Sequence, residues 1–290
     1  MIGLYSLIGG STKGELTSKK VEDFLVRKSI SRTNKNRVLR WMEELKFWEE
    51  YAKIYVNLEK AAPYRYLSRD MEFFMKPKKN DVCLDIGCGP AKMSQIIWRK
   101  SEKNVKKITG IDIVLKPARN TLKKINYSIP LELRYADIGQ KLPFQNNHFD
   151  LIVANLILSY VIDFQGRRGK DALREVFKEI YRILAPGGHI VWSTPKKNVH
   201  FEWVFLASIP DMLNIYEYII HKDITRILQG TRILKHALEI QKKGREKIYT
   251  FLNKKELEEM LIDIGFISPV WKRTFARQVW VNRVYKPKVV

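Results

Sequence analysis

From residue 81 onward, short apolar runs alternate with stretches long enough for a helix. The runs that precede residue 200 are 82–86, 108–113, 131–135, 151–154 and 189–193. Continuous apolar runs of this length are typical of strands buried on both faces of a parallel sheet. The stretches between them, at 91–100, 117–126 and 171–184, are expected to form right-handed helical crossovers. The pattern therefore predicts an α/β protein with a doubly wound sheet.

The rest of the chain extends this core. Residues 253–264 are predicted to form a helix, and 268–275 and 278–285 an antiparallel hairpin, which brings the sheet to seven strands. Apolar spacing in the first 75 residues predicts two helices, the second starting near Thr33 or Asn34. We therefore expect a helical N-terminal extension or lid over 1–75, a core over 76–199 and 250–290, and a helical insertion over 200–249 at the acceptor side of the core.

The chain is strongly basic, with 53 Lys and Arg against 31 Asp and Glu and a net charge of +22. Such a charge favours nucleic acid or an anionic lipid surface as a partner, although a solvated, lysine-rich surface explains dispersed charge equally well. Residues 17–45 also resemble a helix-turn-helix, and the basic residues on its second helix are Arg32, Lys35, Arg37 and Arg40. Nucleic-acid binding, or methylation of RNA, is therefore the alternative function.

The composition limits the cellular location and the metal content that we expect for this protein. No window reaches the roughly 18 apolar residues that a membrane span requires, and the start lacks the features of a secretory signal. The two cysteines, Cys83 and Cys88, fit neither a disulfide framework nor a zinc site, and the histidines are scattered. We expect a cytoplasmic protein without a metal, with peripheral contact to an anionic membrane left open.

The segment at 82–91, VCLDIGCGPA, is the most informative for chemistry. It reads as a buried strand with an acid at its end, followed by a small-residue loop that opens a helix. A dinucleotide fingerprint starting at Gly87 would need glycine at position 92, where Lys92 stands, and a pyrophosphate would not favour Asp85 beside it. An acid immediately before the glycines suits a cationic ligand instead.

The D-x-G-x-G pattern resembles the first motif of the class I S-adenosylmethionine-dependent methyltransferases, which have a Rossmann-like fold. The resemblance implies that Asp85, Gly87, Cys88 and Gly89 cradle the methionine part of S-adenosyl-L-methionine. The third glycine of the longer form of the motif is replaced by Ala91.

Two later strand ends extend the resemblance. Asp112 and Ile113 end the second strand, where a carboxylate can accept both hydroxyls of a ribose. Asp137 and Ile138 follow the third strand, and in similar enzymes the acid accepts the adenine amino group while the apolar residue packs on the ring. The resemblance therefore implies that these residues bind the nucleoside.

The segment at 142–155, LPFQNNHFDLIVAN, resembles the small-molecule branch of the family, and the resemblance adds Asn155 to the cofactor site. The segment at 174–195, which ends in APGGHIVWSTP, resembles the family's helix, turn and fifth strand. Upstream, the aromatic helix around 47–55 is similar to the lid of the ubiquinone and sterol enzymes, which implies a cofactor contact for Tyr55. An aromatic stripe at helical spacing is also typical of a plain core.

The resemblance implies a methyltransferase that acts by in-line transfer on a small, hydrophobic or lipid-like acceptor. The signature of amino methylation on bases is absent after Asn155, and both cysteines belong to the cofactor strand and loop. The apolar residues of 201–220 predict a lid over the acceptor, an interfacial helix, or a buried cap or dimer contact. The sequence assigns no catalytic residue and no oligomeric state.

Overall fold

A computed structural model describes residues 32–55, 61–126, 128–212 and 225–288. Its centre is one seven-stranded sheet in the order β3-β2-β1-β4-β5-β7-β6. The strands are β1 Val82–Ile86, β2 Lys107–Asp112, β3 Leu131–Tyr135, β4 Phe149–Asn155, β5 Leu184–Pro195, β6 Ile267–Thr274 and β7 Val279–Tyr285. The prediction of a doubly wound, Rossmann-like sheet with an antiparallel C-terminal hairpin is confirmed.

Eight α-helices lie within the described residues. They are α1 Arg32–Tyr55, α2 Ala62–Phe74, α3 Lys92–Lys100, α4 Lys116–Lys124, α5 Gly169–Ile183, α6 Phe201–Met212, α7 Thr225–Arg245 and α8 Lys254–Ile264. The last of these begins with a capping box, because Asn253 accepts from the Glu256 main-chain N–H and Glu256 accepts from that of Asn253.

Strand pairing places the functional edge of the sheet. The β1 strand pairs in parallel with β2 on one side and with β4 on the other, and β3 and β5 pair in parallel outside them. The carboxyl ends of these five strands therefore meet at one edge. The β7 strand runs antiparallel to both β5 and β6, and β6 forms the edge of the sheet on that side.

Helices cover both faces of the sheet. One apolar core joins the sheet to α5 and α8, and its largest buried residues include Trp192, Phe149 and Phe177. The other joins the sheet to α2 and α3 and extends to α1, α6 and α7 through Phe47, Phe201 and Ile240. Because the buried strands are apolar on both faces, neither face could be left exposed.

The largest difference from the predicted strand boundaries is in the fifth strand. The fifth strand starts at Leu184 rather than at residue 189, because Leu184 pairs with Phe149 before the chain loops out. Pairing resumes between His189 and Leu151, so the Pro-Gly-Gly turn is a bulge inside the strand. The helix before it ends at Ile183, one residue before the predicted end.

The extension and the insertion pack against each other as well as on the core. Helix α1 begins at Arg32, one residue before the predicted start, and contacts α7, while α7 packs along α6. The Phe201 main-chain N–H donates to the buried side chain of Gln241 at 2.6 Å. The predicted helix at 17–30 lies outside the described residues, and the division into domains stays a prediction. None of the helices in the described ranges combines the length and apolar character needed to cross a bilayer.

Candidate active site

A cleft with two lobes lies at the carboxyl edge of β1, β2, β3 and β4. The first lobe extends over the ends of β2 and β3, and the second lies over the glycine loop after β1. Both are lined by the shared residues Trp48, Gly87, Asp112, Ile113, Ile157 and Tyr160. Ligand sites in α/β sheets occupy this edge.

The two glycines of the loop have different structural roles. Gly87 has φ +64°, and a Cβ there would lie 2.7 Å from Cγ1 of Ile157. Gly89 also has a positive φ of +47°, but a Cβ there would meet only the Gly87 carbonyl oxygen, at 4.0 Å. Packing within the protein therefore requires glycine at Gly87, whereas the open space above Gly89 is available to a ligand.

The loop is tied to the second strand by its backbone. The main-chain N–H groups of Gly87 and Cys88 both donate to the Ile111 carbonyl oxygen, at 2.8 and 3.1 Å. The Cys88 thiol is buried so close to Gly110 that a Cβ there would lie 3.1 Å from Sγ. Burial raises the pKa of this thiol, with the nearby carboxylates acting in the same direction. The side chain of Cys88 is therefore part of the packing beneath the loop.

Ala91 shows why the family's third glycine can be replaced. It has φ +60°, the left-handed conformation that glycine adopts most easily, and it is fully buried. Its methyl group packs with Cys88, Leu115 and Ala118. Packing offsets a conformational cost of about 1 kcal/mol for a residue other than glycine.

Asp85 is buried at the penultimate position of β1, under the loop. Its Oδ2 accepts hydrogen bonds from the main-chain N–H of Ser94, at 3.0 Å, and from its hydroxyl, at 2.6 Å. Burial raises the pKa of Asp85 to about 7, although the bonds from Ser94 oppose this shift. The carboxyl group therefore fixes the start of α3 relative to the loop. Asp85 also lines the second lobe.

Asp112, the last residue of β2, lines both lobes. Its Oδ2 accepts from the Gly89 main-chain N–H and its Oδ1 from that of Val114, each at 2.9 Å. These bonds hold the carboxylate in place between the two lobes. Each carboxylate oxygen can accept more than one bond, so hydroxyl donors can still be bound.

The third predicted acid lies two residues beyond β3, in the first lobe. Oδ1 of Asp137 accepts from the Gly139 main-chain N–H at 2.8 Å. Ile138 and Ile113 line the same lobe and supply apolar surface on either side of it. The structure therefore brings a carboxylate and two branched aliphatic side chains into one cavity, an arrangement that suits a planar base carrying an amino group.

The end of β4 contains a short relay of hydrogen bonds. The Leu156 main-chain N–H donates to the Ser193 hydroxyl oxygen at 2.8 Å, and this hydroxyl donates to Oδ1 of Asn155 at 2.7 Å. Ser193 is fully buried, so its proton needs this acceptor. The relay therefore orients the Asn155 amide in the second lobe and holds Leu156 at a strained φ of +52°.

The roof of the cleft is aromatic and aliphatic. Trp48 and Tyr51 of α1 meet edge to face at 5.5 Å, and Trp48 lies 5.2 Å from Tyr160, which follows β4. Ile240 of α7 completes the second lobe. The side chain of Tyr55 lies outside the described residues, and the described aromatic residues of α1 that line the site are Trp41, Trp48 and Tyr51.

A buried polar group joins the two helices of the roof. Glu44 of α1 accepts from Nζ of Lys243 at 2.7 Å and from the hydroxyl of Tyr249 at 2.6 Å. Only 13% of the Glu44 side chain and 16% of the Lys243 side chain are exposed. Burial raises the pKa of Tyr249, and the Glu44 carboxylate raises it further. Glu44 also lines the first lobe.

The sequence analysis missed most of the roof. Trp48 and Tyr51 are in the aromatic stripe that it noticed, whereas Ile157, Tyr160 and Ile240 carry no motif. The pair of Glu44 and Lys243 could not have been found from spacing. Within the described ranges, no group of three or more His, Cys, Asp or Glu side chains could hold a metal ion.

Comparison with known proteins agrees with this geometry. A family model described as a methyltransferase domain matches residues 84–192. A malonyl-[acyl-carrier protein] O-methyltransferase of Salmonella typhimurium is 24% identical over 69% of this chain and 74% of its own length. A ubiquinone/menaquinone biosynthesis C-methyltransferase of Neisseria meningitidis is 27% identical over 66% of this chain and 69% of its own length.

The fold also matches a solved structure, the N-methyltransferase NodS of Bradyrhizobium japonicum with bound S-adenosyl-L-homocysteine. The TM-score is 0.52 at 14% identity, over 80% of this chain and 91% of that one. Relatives, fold and cleft agree with the expectation from the D-x-G-x-G motif. The family match over residues 84–192 and the two relatives support a class I S-adenosylmethionine-dependent methyltransferase, and the NodS structure supports the fold.

Proposed function

We propose that this enzyme methylates a small, hydrophobic or lipid-like acceptor, which binds beneath the roof in the second lobe. The observation that carries the proposal is the lining of that lobe. Trp48, Tyr51, Tyr160 and Ile240 face the glycine loop across it, so the space beside the cofactor residues is bounded by aromatic and aliphatic surface. An acceptor of matching apolar character gains the most from leaving water there.

The proposed cofactor residues form the floor of the cleft. The Asp112 carboxylate would accept the ribose hydroxyls, and Asp137 with Ile113 and Ile138 would bind the adenine. The loop from Gly87 to Gly89 would lie against the methionine part, with Asn155 at the end of β4 beside it. The open space above Gly89 supports this assignment, since a ligand can approach the backbone there.

S-adenosylmethionine supplies an electrophilic methyl group for in-line displacement. The contribution of the chain is alignment and exclusion of water, because the two lobes meet at Gly87, Ile157 and Tyr160. Burial raises the pKa of Tyr51 to about 12, so this phenol stays protonated near neutral pH and can donate but not abstract a proton. A general base stays unassigned.

The relatives support the class of acceptor. The names of these relatives refer to malonyl-[acyl-carrier protein] and to ubiquinone/menaquinone biosynthesis. A small or lipid-like acceptor for this chain is consistent with both. The identity of the acceptor and the atom that receives the methyl group are not fixed by either name.

The nucleic-acid alternative is weaker. In a helix-turn-helix, Trp41 and Trp48 would have to fill the core between two helices. Instead both are half-buried and line the cleft, with Arg40 at its mouth. The first helix of the supposed motif lies outside the described residues. The second helix of the supposed motif, α1, instead covers the cleft.

The experiment is transfer of a labelled methyl group into fractions of a cell extract. We expect label in the fraction extracted by organic solvent, and less of it with Asp112→Ala. Ile240→Ala should raise the KM for the extracted acceptor and leave the affinity for S-adenosylhomocysteine unchanged. Leu238→Ala, an exposed position on the same helix, is the matched control. Label confined to RNA, or equal effects of both α7 variants, would contradict the proposal.

A further inference from the structure

The outer face of α6 is an exposed apolar stripe. Trp203 is 57% exposed and Leu206 is 49% exposed, and Ala207 and Pro210 are exposed on the same side of the helix. This spacing of three, four and seven residues from Trp203 follows one face of a helix. The opposite face is buried through Phe201, Val204 and Ser208, so α6 is apolar on both faces.

The neighbouring helix adds positive charge. Helix α7 packs along α6, and its exposed positions include four basic residues and one leucine, namely Arg232, Lys235, Leu238, Lys242 and Arg245. Its one acid, Glu239, lies 3.8 Å from Lys243, and Glu246, directly after the helix, lies 3.8 Å from Lys242. The exposed face of α7 is therefore basic.

The acids of α6 do not cancel this charge. Glu202 lies 2.9 Å from Nδ1 of His200, and Asp211 accepts from the Arg65 guanidinium at 3.1 Å and from the Ala62 main-chain N–H at 2.6 Å. The surface of the two helices thus combines exposed tryptophan and leucine with a row of cations. This combination matches the boundary between lipid headgroups and acyl chains.

The charge of this surface also distinguishes between the partners that could bind to it. Two copies of a chain with a net charge of +22 would bring two basic faces together, which is unfavourable. Nucleic acid would neutralise the cations but would offer no apolar phase for Trp203 and Leu206. Anionic phospholipid offers both phosphates for the cations and acyl chains for the apolar stripe.

We propose that the outer surface of α6 and α7 docks on a bilayer that contains anionic phospholipid. The inference goes beyond the proposed function and does not depend on it, because docking can be measured without methyl transfer. Docking on the bilayer would also affect how an acceptor reaches the cleft. Ile240 and Lys243 of the same α7 helix belong to the roof of the cleft, so docking places the bilayer beside the acceptor lobe.

The first test is flotation of the full chain with vesicles of phosphatidylcholine, with and without phosphatidylglycerol. Wild type should float with the anionic vesicles only, and Trp203→Glu should weaken this binding by about tenfold or more. Ile262→Glu is the matched control, because Ile262 is 60% exposed on α8. Equal loss in both variants, or none in Trp203→Glu, would overturn the proposal.

The second test separates a local basic surface from overall charge. Arg232→Glu with Lys235→Glu should abolish flotation, whereas Lys123→Glu with Lys124→Glu on α4 changes the net charge equally and should not. Equal effects would mean non-specific attraction and would overturn the proposal. Unchanged affinity of each variant for S-adenosylhomocysteine would show that the fold and the cofactor site are intact.

The third test gives the orientation. Lipid carrying bromine on its acyl chains should quench part of the wild-type tryptophan fluorescence. Trp203→Phe should still float but should lose this quenching. Persistent quenching in Trp203→Phe would place another tryptophan in the bilayer and overturn the assignment to α6. A dimer that dissociates in Trp203→Glu while flotation is unchanged would assign the stripe to a second copy instead.

Discussion

The floor and the roof of the cleft are built by different interactions. In the floor, main-chain N–H groups fix the polar side chains, as Gly89 and Val114 do for Asp112 and Ser94 does for Asp85. In the roof, packed rings of Trp48 and Tyr160 predominate, with a buried ion pair between Glu44 and Lys243. The floor therefore presents fixed hydrogen-bonding groups, whereas the roof presents mainly shape and apolar area.

Under the proposed function, this difference separates recognition of the cofactor from recognition of the acceptor. Directional bonds to a rigid floor discriminate the hydroxyl and amino groups of a nucleoside. The aromatic roof lies on helices that pack on one face of the sheet, so its shape can change while the strand pairing is kept. Substitutions in the floor should therefore act on cofactor binding or on folding, and substitutions in the roof on the acceptor.

The largest effect is expected at Gly87. A valine there would contact Ile157 and require a positive φ, which together should cost about 2 to 5 kcal/mol of unfolding free energy. Gly89→Ala should cost only about 1 kcal/mol of stability and should weaken S-adenosylhomocysteine binding more. Urea unfolding and calorimetry measure the two quantities. Equal stability losses in both variants would show that the two glycines do not differ in role.

The second-largest effect is expected from the titration of Asp85, which should make the free energy of unfolding depend on pH. Burial raises its pKa in the folded protein to about 7, above the ordinary value of 3.8. Between these values the folded state holds a proton that the unfolded state has lost, so stability falls as pH rises through this window. The fall should amount to about 2 to 4 kcal/mol, and Asp85→Asn should remove it. Urea unfolding from about pH 4 to 8 measures the slope; identical slopes in both proteins would contradict this assignment.

Asp112→Ala should weaken S-adenosylhomocysteine binding by about 1.5 to 3 kcal/mol, because charge-assisted bonds to the ribose are lost. The substitution also frees the Gly89 and Val114 N–H groups, so part of the loss reflects a looser loop. Asp112→Asn keeps one acceptor oxygen and should lose less. Calorimetry on the folded variants measures the difference, and an unchanged affinity would remove Asp112 from the cofactor site.

The smallest effect is expected in the roof. A double-mutant cycle of Glu44→Gln and Lys243→Gln should give a coupling of about 1 kcal/mol in stability and in the KM for the acceptor. Affinity for S-adenosylhomocysteine should change less than about twofold, since the pair joins the two roof helices. A larger change in cofactor affinity than in KM would mean that the roof also holds the cofactor, and the separation of floor and roof would fail.

The floor could be predicted from the sequence because its residues lie at or just beyond the carboxyl ends of strands. The strand pattern placed Asp85, Asp112 and Asp137 at one edge, and the structure brings all three to the cleft. The spacing of these residues in the sequence could not predict which hydrogen bonds their carboxyl groups accept. Asp85 was expected to face a cation directly, but its Oδ2 is engaged by Ser94 beneath the loop.

The roof could not be predicted in the same way, because helix packing leaves no short motif. The aromatic stripe of α1 was visible, but which of its rings reach the cleft depends on how α1 packs on α7. Expectations for Gly87 were also incomplete. Close approach of a ligand was the predicted reason for glycine there, whereas the structure adds contact with Ile157, a residue 70 positions away in the chain.

The bonds of Glu44 also set an order of assembly. Glu44 and Tyr249 are 205 positions apart, whereas the residues of the floor lie between Asp85 and Asn155, and Ser193, which orients Asn155, follows within 38 positions. During synthesis, the cofactor residues can come together long before the roof has its last partner, because contacts between distant positions close late. A chain shortened before Tyr249 would therefore lack a closed acceptor lobe while still containing every residue of the floor.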